Sequence, residues 1–554
     1  MDGQPPKVVE RKAEQAVPCA VGDAIRRSVF LALVATAGAF AQHHMSPASE
    51  KPVALMPGLG TWRHPIATQN TEAQKFFDQG LSLIYSFNRY EAFRSFRKAA
   101  ELDPKAAMAF WGIAMSEGPY VNMDMDPFIN MKEACEASST GLSVSGPAER
   151  PWLEAAASRC PDYADPSRYI SAMQALAARL PDDPDAQTLY ADALMIPIRW
   201  RWYDSEGKPA DGEAEAERVL EGVLRRYPNH PGANHLYIHA VESSSTPERA
   251  VPSAQRLMGI VPAAGHMVHM PGHIWLRLGD YDNAVAVNER AAEVDREYFA
   301  KTGVMSSYGG YYLHNLQFLL YSRAMQGRSS EASKVSSDMT EVVKGMAASM
   351  PEMVDLIGAF ITMMQVRVMR WDEVLAGEQP KIVPAATALW HHARAIAYLA
   401  KNDRAAAGRE KTQFEAICKT LDRNMPWSTN KTGDVMDFAA AVLAARMEAD
   451  PAKAASLWRQ AVALQDKLAY DEPPVWYSPA RESLGASLFM GGDVAGAEEV
   501  FREGLRRSPN NGRMLFGLLE SLKAQKKTEA VHWVQREYES SWKGAELQLR
   551  MKDL

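Results

Sequence analysis

The sequence predicts an all-α protein, an α-solenoid of stacked antiparallel helix hairpins. One observation is a recurring pattern of small residues, aromatic residues and prolines, whose clearest copies lie 34 residues apart. The other is the length of 554 residues, which would fill three or four separate domains of about 150 residues each. A solenoid instead grows by adding repeats to one continuous array, so the repeats favour this architecture.

The composition is that of an ordinary globular protein, with 47% hydrophobic and 23% charged residues. Collagen-like, low-complexity and wholly disordered chains are therefore excluded. The formal charge is −7 and the isoelectric point is near 6.1. No block of lysine and arginine occurs, and phosphate binding needs a concentrated basic patch. We therefore expect no nucleic-acid partner and no binding to anionic membranes.

The first 41 residues are typical of a secretory leader. Arg26 and Arg27 precede thirteen mostly apolar residues, 28–40, and Ala39-Phe40-Ala41 provides a small-residue cleavage site. The apolar stretch is too short to cross about 30 Å of hydrocarbon as a helix, and no later stretch reaches eighteen apolar residues. We expect cleavage near Ala41, a periplasmic or secreted protein, and no transmembrane anchor. A buried N-terminal helix is the alternative interpretation.

An extended N-terminal segment is predicted for residues 42–69, between the leader and the first repeat. Beyond the leader the chain has three cysteines, Cys135, Cys160 and Cys418, and an odd number does not indicate a disulfide framework. Cys135 and Cys160 could still pair across neighbouring helices in an oxidising compartment. The sequence leaves this pairing open.

The first repeat array is predicted over residues 70–330. Its opening hairpin carries Gly80, Ala92, Phe96, Ala99 and Pro104. Small residues where two helices cross, an aromatic ring over them and a terminating proline are what a helical hairpin requires. A second array is predicted over residues 331–554, where the same register returns at Gly485, Ala497, Phe501 and Pro509.

The best internal match carries histidines. Four pairs of identical residues are each separated by 34 positions: Pro228 and Pro262, His235 and His269, His239 and His273, and Ala250 and Ala284. Two consecutive hairpins therefore present histidines at equivalent places.

Seven of the thirteen histidines lie between His230 and His314. Helical spacing places those of each helix on one face. The three predicted helices contribute, in order, His235, His239 and Glu242; His266, His269 and His273; and His314, Gln317 and Tyr321. His230, within Asn229-His230-Pro231, is predicted to cap a helix instead.

Clustered imidazoles are typical of transition-metal sites. Two histidines at i and i+4 can reach one ion, and a third ligand from a neighbouring helix leaves an open position. The predicted metal ligands are His235, His239, Glu242, His266, His269, His273 and His314. Seven ligands exceed the need of one ion, so either two ions bind or some residues orient the ligands. Zinc, copper and iron all suit such donors.

A second candidate region supplies groove residues rather than ligands. Residues 470–477 carry two prolines and several aromatic residues, which would form a rigid wall that closes a groove. Terminal packing is the alternative role. The residues predicted to line the groove or bind ligand are Gln317, Tyr321, Trp476, Arg481 and Glu482. The chain lacks the motifs of serine hydrolases, nucleotide-binding loops and zincin proteases.

Five stretches together resemble exported bacterial tetratricopeptide repeat (TPR) proteins with histidine-rich helices. They are EAQKFFDQGLSLIYSFNRYEAFRSFRKAAELDP, AMAFWGIAMSEGP, HPGANHLYIHAVESSSTPERA, AGHMVHMPGHIWLRLGDY and YDEPPVWYSPARESLGASL. The resemblance implies a right-handed solenoid in which the histidines face a concave groove. It implies no settled activity, and repeat folds host binding more often than catalysis.

Three functions remain open at this point. The first is a groove with one or two transition-metal ions that binds a peptide, protein or small molecule, or that handles the metal. The second is a metal-dependent hydrolase or oxidoreductase using the same residues. The third is a metal-free scaffold for peptide binding.

Overall fold

The computed structural model describes residues 51–122, 129–204, 207–303, 308–348 and 350–554. The leader predicted over residues 1–41 lies outside these residues. Twelve of the described helices precede residue 280: α1 Thr71–Tyr85, α2 Arg89–Leu102, α3 Ala107–Glu117, α4 Met131–Val144, α5 Arg150–Ala157, α6 Pro166–Arg179, α7 Pro184–Met195, α8 Glu213–Arg226, α9 Pro231–Glu242, α10 Val251–Ile260, α11 Gly265–His269 and α12 Pro271–Leu278.

The described helices continue to the end of the chain: α13 Tyr281–Thr302, α14 Gly309–Met325, α15 Ser329–Met346, α16 Pro351–Arg367, α17 Trp371–Ala376, α18 Pro384–Ala400, α19 Arg404–Cys418, α20 Thr432–Met447, α21 Pro451–Gln465, α22 Ala480–Met490, α23 Val494–Arg507, α24 Gly512–Ala524 and α25 Thr528–Ser541. Two short strands, β1 (Pro426–Trp427) and β2 (Asn430–Lys431), form an antiparallel pair. Short 3₁₀ turns occupy Ile196–Ile198, Pro247–Ala250 and Met551–Asp553.

Several helices begin at a residue whose side chain caps them. The Asn70 side chain accepts hydrogen bonds from the backbone amides of Glu72 and Ala73 at the start of α1. Asp183 and Asp450 do the same for α7 and α21, each followed by a proline in the first turn. These caps satisfy amides that have no partner within the helix. Residues 51–70 contain no helix or strand.

The hairpins close through the predicted contact between glycine and phenylalanine. Phe96 of α2 is fully buried, and a Cβ added to Gly80 of α1 would lie 2.7 Å from its ring. Phe501 of α23 meets Gly485 of α22 in the same way, at 2.6 Å. A larger residue at Gly80 or Gly485 would collide with the ring, so glycine allows the two helices of each hairpin to approach closely. The all-α, TPR-type solenoid predicted from the sequence is confirmed.

Two groups of buried apolar residues form the core along the helix array. The first extends from Leu59 to Tyr311 and the second from Tyr281 to Leu554, so α13 and α14 contribute to both. Distant parts of the chain also meet. The Asn510 side chain donates to the Gly279 carbonyl at 3.4 Å, and the Glu546 amide donates to the Gly327 carbonyl at 3.0 Å. The C-terminal helices therefore pack back onto the middle of the chain.

Cys135 in α4 is joined to Cys160, three residues beyond α5, by a disulfide bond. Cys418 is a free thiol and is partly buried. The pairing that the sequence left open is therefore present. Within the described ranges, no helix combines the length and apolar character needed to span a membrane.

One buried carboxylate fastens the N-terminal segment to the first helices. Asp185 of α7 accepts hydrogen bonds from Trp62 Nε1 (3.0 Å), His64 Nδ1 (2.9 Å), Tyr85 Oη (2.6 Å) and His230 Nε2 (3.0 Å). Burial alone would raise the pKa of Asp185, but the hydrogen bonds from His230 and His64 reverse this and lower it far below its ordinary value.

Removal of the Phe96 ring should destabilise the protein. We expect Phe96→Ala to lower the free energy of unfolding by about 3–5 kcal/mol. The ring fills the space against Gly80 of α1 and Gly112 of α3, and its removal leaves a cavity there. Urea unfolding followed by circular dichroism measures the change. Phe93→Ala, on the half-buried side of α2, is the control. An equal loss in the two variants would contradict the packing described.

The Asp185 network predicts a specific pH dependence. Asp185→Asn should destabilise the protein by about 2–4 kcal/mol at pH 7, because an amide cannot accept all four hydrogen bonds. A depressed pKa stabilises the folded state above the unfolded value of about 3.9, and this contribution is lost as the pH falls through lower values. The stability difference between wild type and variant should therefore be smaller at pH 3 than at pH 7. A constant difference would contradict the role of the ionised carboxylate.

Candidate metal centre

Six of the seven predicted ligands are histidines, and consecutive helices bring them together. His235 and His239 lie on α9, His266 and His269 on α11, His273 on α12 and His314 on α14. The first five are at most 1% exposed, and His314 is partly buried. The open groove implied by the family resemblance is therefore not present here. The histidines lie inside the protein.

The second histidine helix is interrupted, which the sequence analysis did not predict. The stretch expected to be one helix divides into α11 and α12 at Met270, next to Pro271. Proline has no amide hydrogen and disfavours helical geometry in the residue before it. Met270 nevertheless keeps helical backbone angles, φ −49° and ψ −38°. The histidines on both sides of the break therefore still face the same cluster.

His235, His239 and His266 form the first of two sets of three imidazoles, here named the first triad. Their candidate ligand atoms all lie within 4.8 Å of one another. Nδ1 of His235 donates to the Tyr85 carbonyl at 2.5 Å, which leaves its Nε2 facing Nε2 of His266 at 3.1 Å. Nε2 of His239 and Nδ1 of His266 are buried and have no hydrogen-bond partner among the described residues.

His269, His273 and His314 form the second triad, again with ligand atoms within 4.8 Å. Nδ1 of His269 contacts Asn288 Oδ1 at 2.6 Å, and its Nε2 faces Nε2 of His273 at 2.8 Å. The ring centroids of His239 and His273 are 5.6 Å apart, so the two triads are neighbours. Gln317 forms a hydrogen bond with His314 and borders the second triad.

Glu242 connects the two triads. Its Oε1 accepts from Nδ1 of His239 at 2.9 Å and its Oε2 accepts from Nδ1 of His273 at 2.5 Å. Each carboxylate oxygen thus lies behind a histidine, in a position that can fix the tautomer and orientation of a metal-binding imidazole. Glu242 also forms a further candidate ligand group with His239 and Glu472, whose ligand atoms lie within 4.8 Å of one another. The sequence-based prediction that Glu242 is a direct ligand therefore stays a prediction.

Glu472 is a residue of the centre that the sequence analysis missed. It lies in residues 469–478, here named the strap, which the second array contributes. Its carboxylate contacts Nδ1 of His273 through a short hydrogen bond, and it accepts from Tyr470 Oη at 3.1 Å. The strap was predicted as a wall from its prolines and aromatic residues. No spacing signal connects Glu472 with a histidine 199 positions earlier.

Burial makes most of these imidazoles neutral. It lowers the pKa values of His235, His266 and His269 well below the usual range, with further lowering by neighbouring histidines. Burial and the charge of His273 lower the pKa of His239 to about 3 and that of His314 to about 4. Neutral imidazoles are the form that binds metal.

His273 is the exception. Burial lowers the pKa of an imidazole, but the adjacent carboxylates of Glu472 and Glu242 outweigh it here and raise the pKa of His273 to about 10. Burial also raises the pKa of Glu472, and the nearby charge of Glu242 raises it further. His273 and the two carboxylates therefore form one buried, hydrogen-bonded group.

Aromatic rings cover the first triad. Phe87 lies 4.3 Å from His235 and 5.3 Å from His266 between ring centroids, although its φ of 56° is unfavourable for a bulky residue. Glycines take such positive φ values after two other helices, Gly279 after α12 and Gly327 after α14. Trp202 lies 5.9 Å from His239. This wall excludes water from the imidazoles.

The remaining predicted groove residues lie elsewhere. Tyr321 and Trp476 line a separate cavity beside the strap. Glu482 is fully buried and pairs with Arg367 at 3.0 Å and Arg513 at 3.1 Å. Arg481 forms two hydrogen bonds with Asp466, at 2.6 and 2.7 Å. The structure therefore satisfies Arg481 and Glu482 with internal ion pairs and does not bring them to the histidines.

A further possible ligand group lies outside the histidine cluster. His64, Asp183 and Asp185 lie within ligand distance of one another. However, Asp185 already accepts four internal hydrogen bonds.

His230 caps α9, because its side chain accepts a hydrogen bond from the Ala233 amide at 3.0 Å. The predicted capping role of His230 is confirmed.

The two triads fit metal ions in their donor chemistry. Two nitrogens bound to one ion at about 2.0–2.1 Å lie about 3 Å apart, which matches the paired Nε2 atoms. The Nδ1 atoms of His235, His239, His269 and His273 already have oxygen partners. The unpartnered Nε2 of His239 is explained if it, too, is a ligand.

Comparison with known proteins identifies no relative by sequence. No protein-family model and no curated protein matches the chain. Solved structures with a similar chain path include Cut9 in the APC/C hetero-tetramer Cut9–Hcn1, with 13% identity, 85% of this chain and 73% of that chain covered, and a TM-score of 0.32.

Yeast Tom70 has 12% identity, with 84% and 90% covered and a TM-score of 0.28. The TPR domain of P58(IPK) has 9% identity, with 83% and 99% covered and a TM-score of 0.23. Similarities this low carry no conclusion about function. The fold follows from the helix packing of this chain itself.

The burial of the cluster can be tested chemically. Diethyl pyrocarbonate modifies accessible histidines, so native protein should react at the exposed His532 and not at His235, His239, His266, His269 or His273. Peptide mass spectrometry locates the modified residues. Urea-unfolded protein is the control, in which every histidine should react. Modification of the triads as fast as His532 would contradict the closed arrangement.

Proposed function

We propose that this chain is an exported bacterial repeat protein that binds two transition-metal ions, one on each histidine triad, and acts in metal handling or in metal-dependent recognition. The observation that carries the proposal is the duplicated arrangement of three converging imidazoles. A single buried histidine is ordinarily a satisfied core residue. Two adjacent sets with converging Nε2 atoms are difficult to explain by packing alone.

The donor set limits which ions are candidates. Imidazole binds zinc, copper and iron well, whereas magnesium and calcium prefer oxygen ligands. Three histidines for each of two neighbouring ions would suit a copper pair, and participation of Glu242 or Glu472 would suit zinc or iron. The proposal therefore names the class of ion and leaves its identity to measurement.

Export is part of the proposal. It is supported by the leader predicted at residues 1–41 and by the Cys135–Cys160 disulfide, since disulfides persist in oxidising compartments. The repeat fold supports binding, because solenoids present long surfaces to partners. A peptide, a protein or a small molecule are all candidate ligands of those surfaces.

Metal-dependent catalysis is the second candidate function, as a hydrolase or an oxidoreductase. Three protein ligands leave a coordination position for water or substrate. A cavity of about 40 Å³, lined by Gln317 and Glu472, adjoins the second triad and has room for water molecules. Direct peptide binding by the histidines is disfavoured, since the strap and the aromatic wall cover them.

Metal content is the first test. Mature protein purified without a His tag or chelator should contain about two equivalents of one transition metal by inductively coupled plasma mass spectrometry. The double variant His239→Ala/His273→Ala should lose it while keeping its helical circular dichroism spectrum. His532→Ala is the matched control and should retain the metal. Substoichiometric, mixed metals after reconstitution would refute the proposal.

Glu242→Gln tests the link between the triads. His239 and His273 contact different oxygens of Glu242; in a glutamine one of these atoms becomes an amide nitrogen, which donates and cannot accept from the histidine. We expect metal affinity to fall by about 10–100-fold and a singly loaded species to accumulate. Native mass spectrometry during titration distinguishes proteins with zero, one and two ions. Unchanged affinity and loading would show that Glu242 does not orient these ligands.

A further inference from the structure

A separate cavity of about 200 Å³ also borders the strap and shares Asp471, Pro474 and Val475 with the cavity at Gln317 and Glu472. Helices α12, α13 and α14 form one side of it, and the strap forms another. For comparison, an engineered protein cavity of about 150 Å³ is large enough to bind benzene. This cavity therefore has room for one small organic molecule.

Three polar groups in this cavity lack partners among the described residues. The hydroxyl groups of Tyr281 and Tyr321 make no hydrogen bond there, although these side chains are only 7% and 6% exposed. Arg277 donates through Nη2 to the Ser244 carbonyl at 3.0 Å, while its buried Nε has no hydrogen-bond partner within the described chain. A buried donor without an acceptor is uncommon in proteins and indicates where a ligand or water binds.

The charge at the cavity favours an anion. Within the described ranges, no carboxylate lies within ion-pair distance of Arg277, whereas Arg507, which also lines the cavity, is already paired with Glu503 at 3.0 Å. The one acidic residue of the lining, Asp471, is held by the Ser428 hydroxyl at 2.7 Å. Arg277 is therefore the positive charge available to a ligand.

The walls favour a flat, apolar body. Tyr470 and Trp476 of the strap both line the cavity, and the guanidinium carbon of Arg277 lies 5.5 Å from the Tyr470 ring centroid. Aromatic rings pack well against planar groups. A carboxylate attached to such a group could form charge-assisted hydrogen bonds with the guanidinium, and Tyr281 and Tyr321 line the same cavity.

We propose that this cavity is a binding site for a small aromatic carboxylate, held by Arg277, Tyr281 and Tyr321 and enclosed by Tyr470 and Trp476. The site is distinct from the two triads. Tyr470 donates to Glu472, which contacts His273, so one side chain of the strap borders both the cavity and the metal centre. Binding requires no metal ion.

Isothermal titration calorimetry with benzoate tests the site. We expect saturable binding of one benzoate per chain and about tenfold weaker binding of benzamide, which is neutral and nearly the same size. Arg277→Gln should weaken benzoate binding about tenfold or more, and Tyr321→Phe should weaken it severalfold through loss of one hydroxyl group. Arg423→Gln, which alters an exposed arginine paired with Asp437, is the control and should bind normally.

Each outcome decides the proposal. Absence of saturable benzoate binding to folded wild-type protein would overturn it, as would equal affinity for benzamide or unchanged binding by both cavity variants. If Arg277→Gln fails to fold by circular dichroism, Tyr321→Phe alone decides. The titrations use both metal-loaded and metal-stripped protein. Benzoate binding in protein that never binds metal would support this site while refuting the metal centre.

Discussion

Burial of six imidazoles in one cluster is the constraint on which the rest of the centre depends. Charged imidazoles at these distances would repel one another, so burial favours neutral rings, and each neutral ring needs a partner for its remaining hydrogen. The Tyr85 carbonyl, the Asn288 amide and Glu242 serve His235, His269 and His239 in this way. The hydrogen-bond partners thereby direct several Nε2 atoms inward, which is the arrangement a metal ion requires.

The repeat explains why this arrangement occurs twice. A shift of 34 residues carries His235 onto His269 and His239 onto His273, and successive hairpins stack side by side. The duplication is imperfect. His266 joins the first triad although it lies on the second hairpin, and His314 on α14 completes the second triad. Each triad is thus shared between neighbouring repeats, so its geometry depends on how the hairpins pack.

The strap couples the two halves of the chain at this point. Pro473 and Pro474 stiffen it, and Glu472 and Tyr470 contact the histidine centre while Trp476 packs 5.2 Å from His392 of the second array. The strap also lines the cavity that contains Arg277. Residues predicted from the sequence to form a rigid wall therefore border both the histidine cluster and this cavity.

Spacing along single helices was enough to predict the helical repeat, the glycine contacts of Phe96 and Phe501 and the set of clustered histidines. The closure of the cluster, the hydrogen bonds of Glu242 to two histidines and the internal pairing of Arg481 and Glu482 all depend on how distant segments pack together. This packing also brought Glu472 to His273 across 199 positions. Helical periodicity fixes which residues share a face, but it carries no information about which distant segment packs against that face.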